Sequence, residues 1–308
     1  MTQLQYGLGN DDLPDVQRSA DTTSMEGQKS YLRWTKFRLQ FVVAAAIAGA
    51  LTISLDSEWQ KQALTGSSLA LFLLALMSEI ILLNFHPEDT WYHGRAVAES
   101  VKTLAWKFSV CADPFPADST FEDAKRLFHQ QLSDIVAESH ILADYSSSGT
   151  QQVSHRMTVL RGATLAERKA AYARDRVEDQ RSWYSRKAKE NESSAFKWRV
   201  TLVCAEMLGA LSAILSLLSI APLDAGSALA AGVAAGGAWI EVKQFDTLSN
   251  AYALTATELA LVSAAAEQAT DEGSWSKYVN SAEQAISREH TMWLARRVRT
   301  RLPRRREP

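Results

Sequence analysis

Residues 200–223 read VTLVCAEMLGALSAILSLLSIAPL, and only one residue of this stretch, Glu206, carries a charge. An earlier stretch at residues 39–55, LQFVVAAAIAGALTISL, has no charged residue. A helix rises about 1.5 Å per residue, so about 20 apolar residues cross the roughly 30 Å hydrocarbon layer of a bilayer. Both stretches therefore predict membrane-spanning helices.

A second apolar stretch follows each of these two. Residues 62–87 contain one acid, Glu79, and residues 225–240, AGSALAAGVAAGGAWI, contain no charge. The last stretch is short, so its insertion requires close packing against a neighbour, and its alternative is a buried Ala/Gly-rich helix. Gly232 and Gly236 form a G-x-x-x-G step that Ala228 extends, a spacing that lets helix backbones approach closely. We expect two hairpins, with spans at about 39–55 and 64–85 and at about 200–222 and 225–240.

Basic residues precede the first span of each hairpin, whereas the turns inside the hairpins have few. These basic residues are Lys29, Arg33, Lys36 and Arg38 in the first case and Arg186, Lys187, Lys189, Lys197 and Arg199 in the second. Because cytoplasmic flanks of spans accumulate Lys and Arg, both hairpin tips are predicted to point away from the cytoplasm. The expected fold is an all-α, multi-pass membrane protein, with a cytoplasmic helical bundle and both termini cytoplasmic.

The remaining segments are polar. Residues 1–28 lack an apolar core and predict a flexible tail instead of a secretory signal. A Ser/Gly stretch predicts a linker at 149–162 between two modules, at 29–148 and 163–295. Residues 296–308 contain seven arginines and predict contact with anionic inner-leaflet lipid, with a nucleic acid contact as the alternative.

Composition and motifs argue against several functional classes. Lys plus Arg number 33 against 35 Asp plus Glu, a net charge of -2 that argues against specific nucleic-acid binding. The two cysteines, Cys111 and Cys204, are too few for a disulfide framework or a zinc cluster. Phosphate-loop, metalloprotease and hydrolase nucleophile motifs do not occur in the sequence. We therefore expect no enzyme, no catalytic or metal site and no cofactor; a soluble helical enzyme is the competing interpretation.

Two acids within the predicted spans, Glu79 and Glu206, are the candidate functional residues. An acid in a membrane span is costly and usually faces a pore, a partner or a proton path. The alternative is that these acids pair with Arg38 and Arg199 near the inner interface.

The two halves of the chain are similar to each other. KFR at residues 36–38 corresponds to KWR at 197–199, and GALT at 49–52 corresponds to GALS at 209–212. The similarity predicts a parallel repeat of one hairpin module.

Helices outside the hairpins carry a family resemblance. The motif residues are Trp91, Arg95, Glu99, Lys102 and Trp106 in the first half, and Asp179, Trp183 and Tyr184 in the second. Together with the apolar hairpins and the basic segments that precede them, these motif residues resemble the SLATT families of prokaryotic membrane proteins over about residues 29–295. The resemblance implies two tandem SLATT-type modules.

This resemblance also implies a function, a membrane effector of a prokaryotic conflict or antiphage system. Such proteins are proposed to form homo-oligomeric pores that permeabilise the inner membrane. A separately encoded sensor or a nucleotide second messenger would supply the signal, because no sensor domain is recognisable in this sequence. The alternative is a non-conducting membrane scaffold or regulatory subunit that recruits cytoplasmic partners through its helices.

Overall fold

The structure is a computed structural model that describes residues 7–53, 55–139, 149–218 and 225–300. These residues form α-helices, short 3-10 turns at Asn10–Asp12 and Ala265–Gln268, a π-helical turn at Ala173–Glu178, and no strand. The predicted all-α class is confirmed. The α-helices are α1 (Asp15–Ile53), α2 (Glu58–Phe85), α3 (Pro87–Ser109), α4 (Phe121–Glu138), α5 (His155–Arg161), α6 (Leu165–Tyr172), α7 (Asp179–Leu217), α8 (Gly226–Lys243), α9 (Phe245–Ala264) and α10 (Glu272–Thr300).

The chain divides into two compact units. Met1–Gly27, Asp89–Ala188 and Asn250–Pro308 form the first, which we call the polar unit. Gln28–Glu88 and Lys189–Ser249 form the second, which contains both predicted hairpins and which we call the apolar unit. Helices α1 and α7 each contribute residues to both units.

The second helix of each hairpin ends in the same way. α2 ends at His86, which adopts the left-handed conformation (φ 42°) and donates its N–H to the Leu82 carbonyl at 3.3 Å. α8 ends at Gln244 (φ 51°), whose N–H donates to the Ile240 carbonyl at 2.7 Å. A left-handed residue closes a helix and redirects the chain, so α3 and α9 each begin at the next residue. The second helices of the two hairpins therefore share a left-handed C-terminal residue, as a repeat predicts.

Among the described helices, two are long and apolar enough to cross a membrane. They are Glu58–Phe85, with a mean hydropathy of 2.1 over its most apolar 18 residues, and the continuous helix Leu165–Leu217, with 2.0. Only 17% and 0% of those residues are buried, whereas a core helix of a soluble protein would be mostly buried. The four predicted spans therefore correspond to four helices, of which two meet the length and composition criterion. The four-span topology and its orientation stay predictions.

An aromatic cluster lies at the centre of the polar unit. Tyr172 packs edge-on against Trp106 and against Trp275, with ring centroids 5.6 Å apart in both cases. The indole N–H of Trp275 donates to the Val110 carbonyl at 2.8 Å, so this ring is buried without losing a hydrogen bond.

Residues 15–28, predicted as part of a flexible tail, instead form the first turns of α1. Ala20 is fully buried, and a Cβ at Gly94 of α3 would lie 3.0 Å from the Ala20 carbonyl oxygen. The hydroxyl of Ser24 donates to the Trp91 carbonyl at 2.8 Å. Small and polar residues make these contacts. The segment therefore has no apolar pattern in the sequence, and its packing was not predicted.

The predicted linker at 149–162 also contains ordered structure, because residues 155–161 form α5. Met157 and Leu160 are buried in the core of the polar unit. Arg161 donates to the carbonyls of Phe108 at 2.9 Å and Phe115 at 3.1 Å, which holds the turn after α3. The neighbouring Ser/Gly residues 146–148 and the predicted basic tail from residue 301 lie outside the described residues.

Candidate functional site

The polar unit contains a buried ion pair between Arg176, in the π-helical turn, and Glu283, in α10. The guanidinium donates to both carboxylate oxygens, from Nη2 at 2.7 Å and from Nε at 3.0 Å. Tyr172 donates its hydroxyl proton to Glu283 Oε1 at 2.9 Å, and Thr103 donates to Oε2 at 2.8 Å. We call Arg176, Glu283, Tyr172 and Thr103 the Arg176 cluster.

The π-helical turn at Ala173–Glu178 directs Arg176 inward. This turn interrupts an otherwise continuous helical run from α6 into α7, and both Arg176 and Val177 are fully buried there. π-turns inside α-helices are rare and frequently occur at functional sites. The irregular turn thus buries a guanidinium at the point where α7 begins.

Electrostatics keep this buried cluster charged. Burial alone would lower the pKa of Arg176, but the Glu283 carboxylate and its hydrogen bonds raise that pKa above its ordinary value. Burial, followed by the charge of Glu283, raises the pKa of Tyr172, so this phenol stays protonated and donates. Within the described residues, Arg176 Nη1 has no hydrogen-bond partner. Because an ion pair this deep is costly unless it is well paired, the cluster depends on Glu283.

Three of the predicted motif residues, Glu99, Lys102 and Asp179, interact electrostatically with this cluster or with one another. The pKa of Lys102 is lowered by burial and by Arg176, while Glu99 and Asp179 oppose that shift. The pKa of Asp21 is raised by burial and by Glu99, and Arg95 opposes it. The motif residues Glu99 and Lys102 therefore interact with the charge of Arg176, and Asp179 interacts with Lys102, whereas Arg95 acts on Asp21.

The aromatic motif residues make packing contacts. Trp106 is buried against Tyr172, and Trp91 stacks on Tyr92 with ring centroids 4.8 Å apart. Trp183 and Tyr184 both pack against the ring of Tyr252, at 5.5 and 5.6 Å.

A cavity of about 750 Å³ lies beside Lys102, Trp106 and Asp179. Its remaining lining comes from residues between 7 and 13 and from Arg156, Arg174 and Asp175. Two of its cations are already paired, Arg174 with Asp175 at 2.5 Å and Arg156 with Asp12 at 3.6 Å. The charges that line the cavity are therefore balanced and do not select an anionic or a cationic ligand.

The two predicted intramembrane acids differ in their surroundings. Glu79 of α2 forms an ion pair with Arg38 of α1, as the pairing alternative predicted. Arg199 pairs instead with Asp246. Glu206 is exposed on α7 and has no ion-pair partner among the described residues. Its role as a residue of a polar path stays a prediction.

The predicted packing residues of α8 also differ from one another. A Cβ at Gly236 would lie 2.6 Å from Leu202 Cδ2 and 3.5 Å from Trp198, so this glycine permits close approach of α7 and α8. A Cβ at Gly232 would meet no atom within 4 Å, and Ala228 is half-buried. Gly236 is therefore the residue at the helix contact, and Gly232 faces open space.

Sequence reasoning did not select Glu283, Thr103 or Arg161 as site residues. Glu283 is one acid in a polar helix, and its partner Arg176 is 107 positions away in the sequence. Within the described residues, no group of three or more His, Cys, Asp or Glu side chains is placed to hold a metal ion.

Comparison with protein families assigns most of the chain. Residues 14–169 match the model described as SMODS and SLOG-associating 2TM effector domain 3, and residues 172–293 match domain 1 of the same description. No curated protein and no solved structure matches the chain. The hydrogen bond between Thr103 and Glu283 joins the two matched ranges inside the polar unit.

Proposed function

The chain belongs to the SLATT family of two-transmembrane effector domains associated with SMODS and SLOG domains, in two tandem copies, and we propose that it is a membrane effector of a prokaryotic conflict system. The active form in this proposal is a homo-oligomer in the inner membrane. It stays closed until a separately encoded sensor or a nucleotide signal acts on it, and then it permeabilises the membrane.

The apolar surface of the hairpins is the observation that carries the proposal. Large apolar side chains of α2 and α7 are exposed, among them Leu73, Leu83, Met207, Leu211 and Leu217. Patches of this extent on a soluble monomer would cause association or aggregation. Lipid chains and neighbouring copies are the partners that such helices require.

The Arg176 cluster provides a means of coupling in this proposal. It binds α10 to the start of α7, and α7 continues through Leu217 in the apolar unit. A signal that separates Arg176 from Glu283 would free the start of α7 to repack. Switching between two discrete packings of a helix is a common route from a local event to a large rearrangement.

Substitution of Glu79 and Glu206 distinguishes a conducting pore from a non-conducting scaffold. In single-channel or ion-flux recordings of the reconstituted full chain, Glu206→Gln is expected to reduce cation selectivity, because an unpaired acid that lines a polar path attracts cations. Glu79→Gln serves as the comparison, because Glu79 is already paired with Arg38. Membrane insertion without any conductance, in the presence of a separately encoded sensor, would favour the scaffold.

A further inference from the structure

An apolar groove of about 500 Å³ runs between α1, α7 and α8 within the apolar unit. Its lining includes Lys36, Val43, Ile47, Trp198, Gly232 and Trp239. From Lys36 to Ile47 the α1 side extends over eleven residues, which is about 16 Å of helix. The groove is therefore elongated along α1, and apart from Lys36 and Gln40 its lining is apolar.

Small residues keep this groove open. Gly232 has no side chain, and a Cβ built there would meet no atom within 4 Å. Ala44 and Ala235 also line the groove. Gly236 also lines the groove, but a Cβ built there would lie 2.6 Å from Leu202 Cδ2, because α7 and α8 approach each other closely at this position.

Cations and indole rings stand together at one end of the lining helices. Lys36, Trp198 and Trp239 lie at the predicted cytoplasmic ends of their apolar segments. Lys243 places its Nζ 6.0 Å from the centroid of the Trp239 ring. Trp prefers the membrane interface, and Lys there attracts anionic headgroups. An apolar slot that ends in indoles and ammonium groups matches the chemistry of an anionic phospholipid.

We propose that this groove binds one acyl chain of an anionic phospholipid, whose headgroup phosphate is held by Lys36 at the end of the groove where Trp198 and Trp239 lie. The site depends on the location of the chain in a membrane and not on pore formation. A conducting and a non-conducting protein would both have it.

Gly232 and Gly237 provide a matched pair of variants for a test. Gly232→Leu fills the groove, whereas Gly237→Leu adds the same side chain on the same helix at a position that does not line it. A Cβ meets no atom within 4 Å at either position, so both variants are expected to fold. Melting temperatures in detergent check the folding.

The experiment is native mass spectrometry of the delipidated full chain, titrated with phosphatidylglycerol or phosphatidylcholine of identical acyl chains. Wild type and Gly237→Leu should retain one phosphatidylglycerol, and Gly232→Leu should lose it. Lys36→Gln should lower the preference for phosphatidylglycerol by about fivefold, with Lys61→Gln at the other end of the hairpin unchanged.

Either of two results would overturn the proposal. One is equal lipid retention by Gly232→Leu and wild type. The other is loss of a dimer peak in Gly232→Leu with lipid binding unchanged, which would assign the groove to a second copy of the chain.

Discussion

Arg176 and Glu283 form a bidentate ion pair in the interior of the polar unit, where their side chains are 0% and 2% exposed. The pair joins the start of α7 to α10, and Thr103 adds a hydrogen bond from the other matched range. The Glu283 carboxylate thus accepts hydrogen bonds from Arg176 in one matched range and from Thr103 in the other, and so connects the two modules. Removing this carboxylate leaves a buried guanidinium without its partner, which is the costliest change available in the cluster.

Glu283→Leu and Arg176→Met are each expected to lower the free energy of unfolding by about 3–5 kcal/mol, because each leaves an uncompensated buried group. The double variant should recover most of this loss. Urea unfolding in detergent measures all three. Arg181→Met is the control, since its pair with Glu178 is exposed to solvent and contributes little to stability. Additive losses in the double variant would contradict the prediction.

Gly94→Ala is expected to destabilise the polar unit by about 1–3 kcal/mol, because the new Cβ would crowd the backbone of α1 at Ala20 and Ser24. Gly66→Ala, in the middle of α2, meets no atom within 4 Å and should stabilise the chain by about 0.5–1 kcal/mol. Thermal unfolding of the two variants compares them directly. Equal effects at both positions would show that α1 and α3 do not pack closely.

Lys102 should give a measurable alkaline dependence of stability. Burial and the nearby Arg176 lower its pKa in the folded chain from the ordinary 10.5. The unfolded chain therefore binds more protons in the interval between the folded and the unfolded pKa, and stability rises with pH across this interval. The stability of wild type minus that of Lys102→Met should increase as the pH rises toward the ordinary lysine pKa of 10.5. A difference that stays flat or falls would show that Lys102 is solvated.

Cys204 is an endogenous probe of the third predicted span. It is exposed on α7, whereas Cys111 is buried in the polar unit. In closed membrane vesicles, a water-soluble maleimide should leave Cys204 unlabelled, because such a reagent does not enter the hydrocarbon layer. Labelling should appear after solubilisation in denaturing detergent. Rapid labelling in intact, quiescent vesicles would mean that this part of α7 lies in water.

The length of the apolar runs and the basic residues beside them predicted the hairpins, because a long uncharged run is typical of a membrane-spanning helix. The pairing of Glu79 with Arg38 was among the predicted alternatives, since both residues stand near the same end of the hairpin. The Arg176 cluster was not predictable, because a π-helical turn has no sequence signature and Glu283 lies 107 positions from its partner. Burial of Ala20 was missed for a similar reason, since small residues in a polar segment give no apolar pattern.

Leakage from dye-loaded liposomes measures whether repacking of the polar unit opens a path through the membrane, as proposed for this effector. Glu283→Gln should mimic the signal by loosening the Arg176 cluster. Leu132→Ala, a buried core change in α4, is the control for destabilisation alone. We expect dye release from liposomes with Glu283→Gln, and retention with wild type and Leu132→Ala. Full retention by inserted Glu283→Gln, or equal release by Leu132→Ala, would contradict it.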